Sequence, residues 1–170
     1  NELQLIRMSS REGWRRGSIP RGSVSWKMVE KYQKIVVTGL LKREGKVLIL
    51  KRSSKEDFLP NYWELPSGKV EFGETVEQAL KRGFKEETNL DIEVKSPYKI
   101  FSYLSDNKNR HTIEIIFHVS CKDIKKLIIS EDHQEYIWIS KDDIKKYKIS
   151  KEISQSILEG INNKWKTKKK

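Results

Sequence analysis

A chain of 170 residues with 36% apolar and 35% charged side chains is long enough for one well-buried domain, and its five Trp, six Tyr and five Phe exclude a disordered polar polymer. No run approaches the ~18 consecutive apolar residues of a membrane span, Leu3–Met8 is too short and interrupted for a secretory h-region, and a single cysteine, Cys121, excludes a disulfide framework or a four-thiolate zinc site. The net charge of +11 sits mainly at the ends, with six basic against two acidic residues in 1–27 and five lysines in 164–170, so it predicts solvated tails on a near-neutral cytoplasmic body, with RNA a minor expectation and no membrane partner.

Residues 9–25 are rich in Gly, Ser and Arg and lack apolar periodicity, which predicts a linker. Ile19-Pro-Arg-Gly-Ser23 is similar to a protease-site remnant of recombinant expression, so 1–27 is expected to be either a native leader or such a remnant, with Met28 opening a domain over 28–163 and a basic tail at 164–170. Ile35–Leu41 and Lys46–Lys51 read as strands joined by a turn at 43–45. A polar loop at 53–57 precedes a short strand in 61–68, ended by Pro66 and Gly68. Thr75–Thr88 reads as a helix. Asp91–Leu104, with Pro97 at a bend or edge, and His111–Cys121 are long β-rich runs around a turn at 105–110. Tyr136–Ile139 is a last strand, followed by helices at Ser140–Lys146 and Ser150–Ile161, the second with Ser150 as N-cap. This order predicts a layered α/β or α+β domain.

Wound at ~100° per residue, Thr75–Thr88 places Val76, Leu80 and Phe84 on one arc, with Ala79 and Gly83 beside it. Glu87 points between Val76 and Leu80, and Glu86 lies on the Ala79 flank. A carboxylate at an apolar boundary needs a cation. Either a Lys or Arg of a neighbouring strand meets it, or the pair Glu86-Glu87 holds a divalent ion beside the glycine-bearing loop 67–74. Hard oxygen donors on such a loop and helix suit Mg²⁺ or Mn²⁺ rather than zinc.

Gly68, five residues, Glu74, seven residues and then Arg82-Gly83-Phe84-Lys85-Glu86-Glu87-Thr88-Asn89-Leu90 resembles the Nudix box, G-x5-E-x7-R-E-U-x-E-E-x-G-U, at seven of its nine specified positions. Trp63-Glu-Leu-Pro-Ser-Gly68 and Glu135-Tyr-Ile-Trp138 are similar to the family's flanking segments, so the resemblance spans about 33–160. It implies an α/β/α sandwich with a mixed sheet between helices, and Mg²⁺- or Mn²⁺-dependent hydrolysis of a nucleoside di- or triphosphate derivative, most like the MutT-type enzymes. It further implies that Glu86 and Glu87 are catalytic metal ligands, with the Ser67 carbonyl as a possible third. Glu74 and Arg82 become a structural ion pair, and Arg52 a candidate for substrate phosphate. A monomer or a homodimer is compatible with it.

Two positions depart from the pattern. Gly83 replaces a glutamate that binds metal through water or acts as general base, which leaves a gap in an i, i+3, i+4 carboxylate cluster. Either another carboxylate substitutes, with Glu135 or Glu131 in the loop before the last strand as candidates, or the chain is a hydrolase weakened by Gly83, and restoring the carboxylate by Gly83→Glu is expected to raise turnover at least ~10-fold. The alternative is a non-catalytic nucleotide- or RNA-binding module of the same fold. Asn89 replaces the helix-ending glycine and is expected to cap in the left-handed region. His111, His118 and His133 show no metal-ligand spacing. Trp63, Phe72, Phe101 and Trp138 could stack on a base, although core packing is the commoner use of such residues.

Overall fold

The computed structural model describes residues 31–162. The expected leader at 1–27 and the basic tail at 164–170 lie outside the described residues. Seven strands form a mixed sheet: β1 (Tyr32–Arg43), β2 (Lys46–Arg52), β3 (Trp63–Glu64), β4 (Ser67–Lys69), β5 (Ile92–Ser105), β6 (Arg110–Cys121) and β7 (His133–Ile139). The main path runs β3-β2-β1-β6-β5, with β4 also pairing β1 and β7 also pairing β2. β1 and β6 run parallel from Tyr32↔Arg110 to Leu41↔Val119, and the other strand pairs are antiparallel. β1 meets β2 only at its far end, Lys42↔Val47 and Arg43↔Lys46. Its earlier half pairs instead with β4, through Val36↔Lys69, Val37↔Gly68 and Thr38↔Ser67. Two sub-sheets therefore part around the start of β1, and a cleft opens between them.

Strand alternation sorts the apolar residues onto two faces. Val37, Leu41, Leu48, Leu50 and Phe117 pack with Ala79, Leu80 and Phe84 of α1 (Val76–Thr88). Leu40, Val47, Ile49, Ile116 and Ile139 pack with Ile153 and Ile157 of α2 (Lys151–Asn162). The result is a helix–sheet–helix sandwich, as the resemblance implies. Val76 is an exception to the predicted stripe: it sits in the first turn, 36% exposed, and the buried row is Ala79, Leu80, Gly83, Phe84 and Thr88. Ser140 does precede a helical segment, but Lys141–Lys146 is a 3-10 helix. Pro97 lies where the register shifts on β5, which ends the main path, so its missing N–H breaks no central ladder.

Candidate active site

The corner between β4 and α1 is built on a glycine crossing. A Cβ at Gly68 would meet the Ala79 carbonyl oxygen at 2.5 Å; one at Gly83 would meet the Gly68 Cα at 2.5 Å, its nitrogen at 2.9 Å and the Ser67 carbonyl oxygen as well. Gly83 is therefore what lets α1 lie directly on β4, and this corrects the expectation of a bare gap awaiting a glutamate. Both ends of α1 are closed by side chains. Thr75 and Gln78 form a reciprocal capping box, and Asn89 takes φ 56° as left-handed C-cap.

At this crossing the Ser67 N–H donates to Glu87 Oε2 at 2.9 Å. Glu87 is half-buried, and its carboxyl is pushed well above the ordinary carboxylate range. Burial is the main cause and the nearby Glu64 adds to it, while the Ser67 N–H and Arg52 oppose and Asp132 reinforces. Among the described residues Glu87 forms no ion pair with lysine, arginine or histidine. Glu86 is exposed and leans on Arg82 Nη1 at 3.1 Å. No three acidic, His or Cys side chains among the described residues converge as a ready-made metal group. The donors available are oxygens: Glu87, Glu86 and the Ser67 carbonyl. A desolvated, unpaired carboxyl beside them fits a hard divalent cation.

Arg82 ties the preceding loop to α1. Its Nε and Nη2 donate to the two Glu74 oxygens at 2.8 Å each, and Nη2 also reaches the Lys69 carbonyl at 2.8 Å. This fork holds the Glu74 carboxyl down at about 2.

Arg52 borders the cleft, but its guanidinium is already engaged. Nη1 donates to both Glu64 oxygens, Nη2 to Glu56 and Nε to the Phe58 carbonyl, all at 2.8 Å. Glu64 also meets His133 Nε2 at 3.2 Å. Arg52 thus organises the floor beneath Glu87 rather than presenting a free fork to phosphate. Lys34, Lys69 and Arg110 also border the cleft, which has a volume of about 610 Å³. Burial and the neighbouring Arg110, Lys69 and Arg52 push the Lys34 ammonium down, while Glu64 opposes.

Glu135 does not reach this cleft. It lies on β7 opposite Lys51, 3.9 Å from its Nζ and 55% exposed, and Glu131 is exposed in the preceding turn; Asp132 and His133 line the cleft instead. Sequence reasoning also passed over Glu64 and Glu114. Glu114 is 6% exposed on β6 and accepts from Thr38 Oγ1 at 2.9 Å. Its carboxyl is pushed up to about 7, mainly by burial. The signal was present: one carboxylate inside an otherwise apolar strand run, Ile113–Phe117.

A family model described as the NUDIX domain matches residues 31–159. The chain is 39% identical over 83 residues to an ADP-ribose pyrophosphatase from Methanocaldococcus jannaschii, a match covering 49% of this chain and 48% of that protein, so the likeness spans about half that relative's length. It is 26% identical over 127 residues to the nucleoside triphosphatase NudI of Klebsiella pneumoniae, covering 69% of this chain and 89% of that one. Among solved structures it is similar to a MutT protein from Methanosarcina mazei, with TM-score 0.67, 24% identity and coverage of 78% of this chain and 95% of that one. With the box loop, its Glu74–Arg82 clamp and its helix laid on β4 as described, the chain belongs to the NUDIX domain family.

Proposed function

We propose that this chain hydrolyses a phosphoanhydride bond of a nucleotide, with Mg²⁺ or Mn²⁺ held by Glu86, Glu87 and the Ser67 carbonyl. The observation that carries this reading is Glu87, a half-buried carboxyl set among Glu64 and Asp132 with no ion-pair partner among the described residues. Such a group is comfortable as an anion only beside a cation. When bound, the ion supplies neutralisation of charge on the phosphate oxygens.

The remaining roles belong to the chain's own side chains. Glu74 and Arg82 hold the loop so that the Ser67 carbonyl stays at the Glu87 corner. Lys69, on β4 two residues from Ser67, faces the phosphates not gripped there. Gly83 offers no base, and Glu135 points away. Asp132, close enough to raise the Glu87 carboxyl, accepts the proton of the attacking water. A nucleoside triphosphate is the favoured substrate class, because the likeness to a nucleoside triphosphatase runs over most of that relative.

The test is phosphate and pyrophosphate release from nucleoside triphosphates and ADP-ribose, with and without Mg²⁺. Release that needs the ion and falls by ~10²-fold or more in Glu87→Gln supports the reading. Gly83 favours a second reading, a nucleotide-binding module without turnover. Nucleotide binding with no release under any condition would establish that one instead.

A further inference from the structure

Glu114 is the one strongly perturbed carboxyl in the cleft that the proposed chemistry leaves unused. It faces the α2 side of β6, flanked across the strands by Phe101 on β5 and Val36 on β1, with Tyr103 one step along. Tyr103 stacks within 8° of parallel on Phe58, at 5.9 Å between centroids, and on Phe101 at 6.1 Å. A wall of flat rings, with the Arg110 guanidinium 5.1 Å over the Phe58 ring, beside a buried acid is a good place for a planar heterocycle. Position agrees with chemistry. Ser67 pairs Thr38 on β1 and Thr38 pairs Ile116 on β6, with Glu114 two residues further along, so its backbone lies roughly 12 Å from the Ser67 corner. That is comparable to the distance between the base and the diphosphate of one nucleotide.

Thr38 Oγ1 occupies one acceptor position on Oε1. The Tyr103 hydroxyl takes a second position. Ionised, as it is above pH ~7, a carboxylate offers about four, so two remain for donors entering from the cleft. We infer that Glu114 is a specificity-determining residue that accepts hydrogen bonds from the N–H edge of a nucleobase, best matched by the adjacent N1–H and N2–H groups of guanine. The inference rests on the nucleotide reading above, since it takes the phosphates to lie at the Glu87 corner. Among the described residues Glu114 is the only almost fully buried carboxyl, and it lies beside this aromatic wall.

Calorimetric titration of the full chain, with Mg²⁺ present, uses the α,β-methylene diphosphates of guanosine, inosine and uridine, in which carbon replaces the only anhydride bridge. Inosine differs from guanosine solely by the missing N2 amino group. The expected result is that the guanosine compound binds ~10-fold or more tighter than the other two, because a site built for a donor rejects the analogue lacking it. Glu114→Gln should bring the three within about threefold of each other, and Thr38→Val, which removes the anchoring hydroxyl without changing shape, should narrow the gap. Equal affinities in the wild type, a preference that survives Glu114→Gln, or a uniform fall for all three compounds would overturn the inference. Hydrolysis of the natural nucleotides, run on the same proteins, separates the two claims. Turnover without base preference sinks the role of Glu114 alone, and base preference without turnover sinks the hydrolase reading alone.

Discussion

Replacing Gly83 by alanine puts one methyl group into the α1–β4 crossing. Helix propensity favours the change by about 1 kcal/mol. Packing opposes it, because the new Cβ would stand 2.5 Å from the Gly68 Cα and 2.9 Å from its nitrogen, with the Ser67 carbonyl oxygen also inside contact distance. Comfortable carbon–carbon contact begins near 3.5 Å, so the elements must separate by about 1 Å. All three obstructing atoms are backbone, and no rotamer change relieves them. Overpacking of this kind costs about 1–3 kcal/mol, and more where nothing can yield. We expect net destabilisation of about 1–2 kcal/mol, a fall in Tm of roughly 3–8 °C for a chain of this size. The same displacement moves the Ser67 carbonyl away from Glu87, so kcat falls too. Gly83→Glu carries the same Cβ and is expected to lower turnover, which reverses the gain expected from motif comparison alone. Thermal melts followed by circular dichroism, together with phosphate release, test both variants. A Gly83→Ala protein as stable as the wild type would refute the packing argument, and a Gly83→Glu protein with raised turnover would refute the catalytic one.

Arg52→Ala should destabilise by about 2 kcal/mol or more, because it strands the partly buried Glu64 beside Glu87, and Arg52→Lys should not rescue it, since an ammonium cannot reproduce the fork; urea titration reads both. Asn89→Ala should cost about 1 kcal/mol through the left-handed φ of 56°, while Asn89→Gly should be tolerated despite losing the amide bond to the Lys126 carbonyl. Glu114 titrates at about 7 in the fold against about 4.3 in an unfolded chain. Burial is the main cause; Glu64 and Glu152 push the same way, and the Thr38 and Tyr103 hydroxyls oppose. Since the folded value is the higher one, the stability held below pH ~4 is lost as pH rises to about 7, on the order of 3 kcal/mol. Glu114→Gln should therefore raise Tm at pH 8 and change it little at pH 4, and equal shifts at both would contradict the assignment.

The strands and helices were legible because their rules are local, while the sandwich with its mixed sheet came from the Nudix resemblance. Alternation in Ile35–Leu41 and Lys46–Lys51 sorts side chains to two faces, and the box helix announces itself by Thr75, its apolar row and Asn89. Val76 misled because a helix wheel does not say where the sheet ends. Ser140–Lys146 is helical as read, in the 3-10 form. The site was harder to read. Glu86, Glu87, Glu74 and Arg82 lie within one loop and helix, where spacing is geometry. Arg52, Glu64 and His133 meet across strands far apart in sequence, and the saturation of Arg52 by Glu64, Glu56 and Phe58 has no sequence signature. Seeing that neither Glu135 nor Glu131 reaches the cleft required knowing where β7 begins. Starting at His133, it sends Glu135 to Lys51 and leaves Asp132 at the cleft. Gly83 looked like a loss because sequence shows the missing carboxylate and not the backbone it admits.

The claim on which the rest depends is a divalent cation gripped at the Glu87 corner. Titration of Mn²⁺ into the full chain, followed by electron paramagnetic resonance, tests it directly. The expected result is one bound ion per chain, weakened at least tenfold by Glu87→Gln, with bound-ion signals altered by added nucleotide. Mn²⁺ affinity unchanged in Glu87→Gln, or no binding at millimolar Mn²⁺ with nucleotide present, would contradict the account.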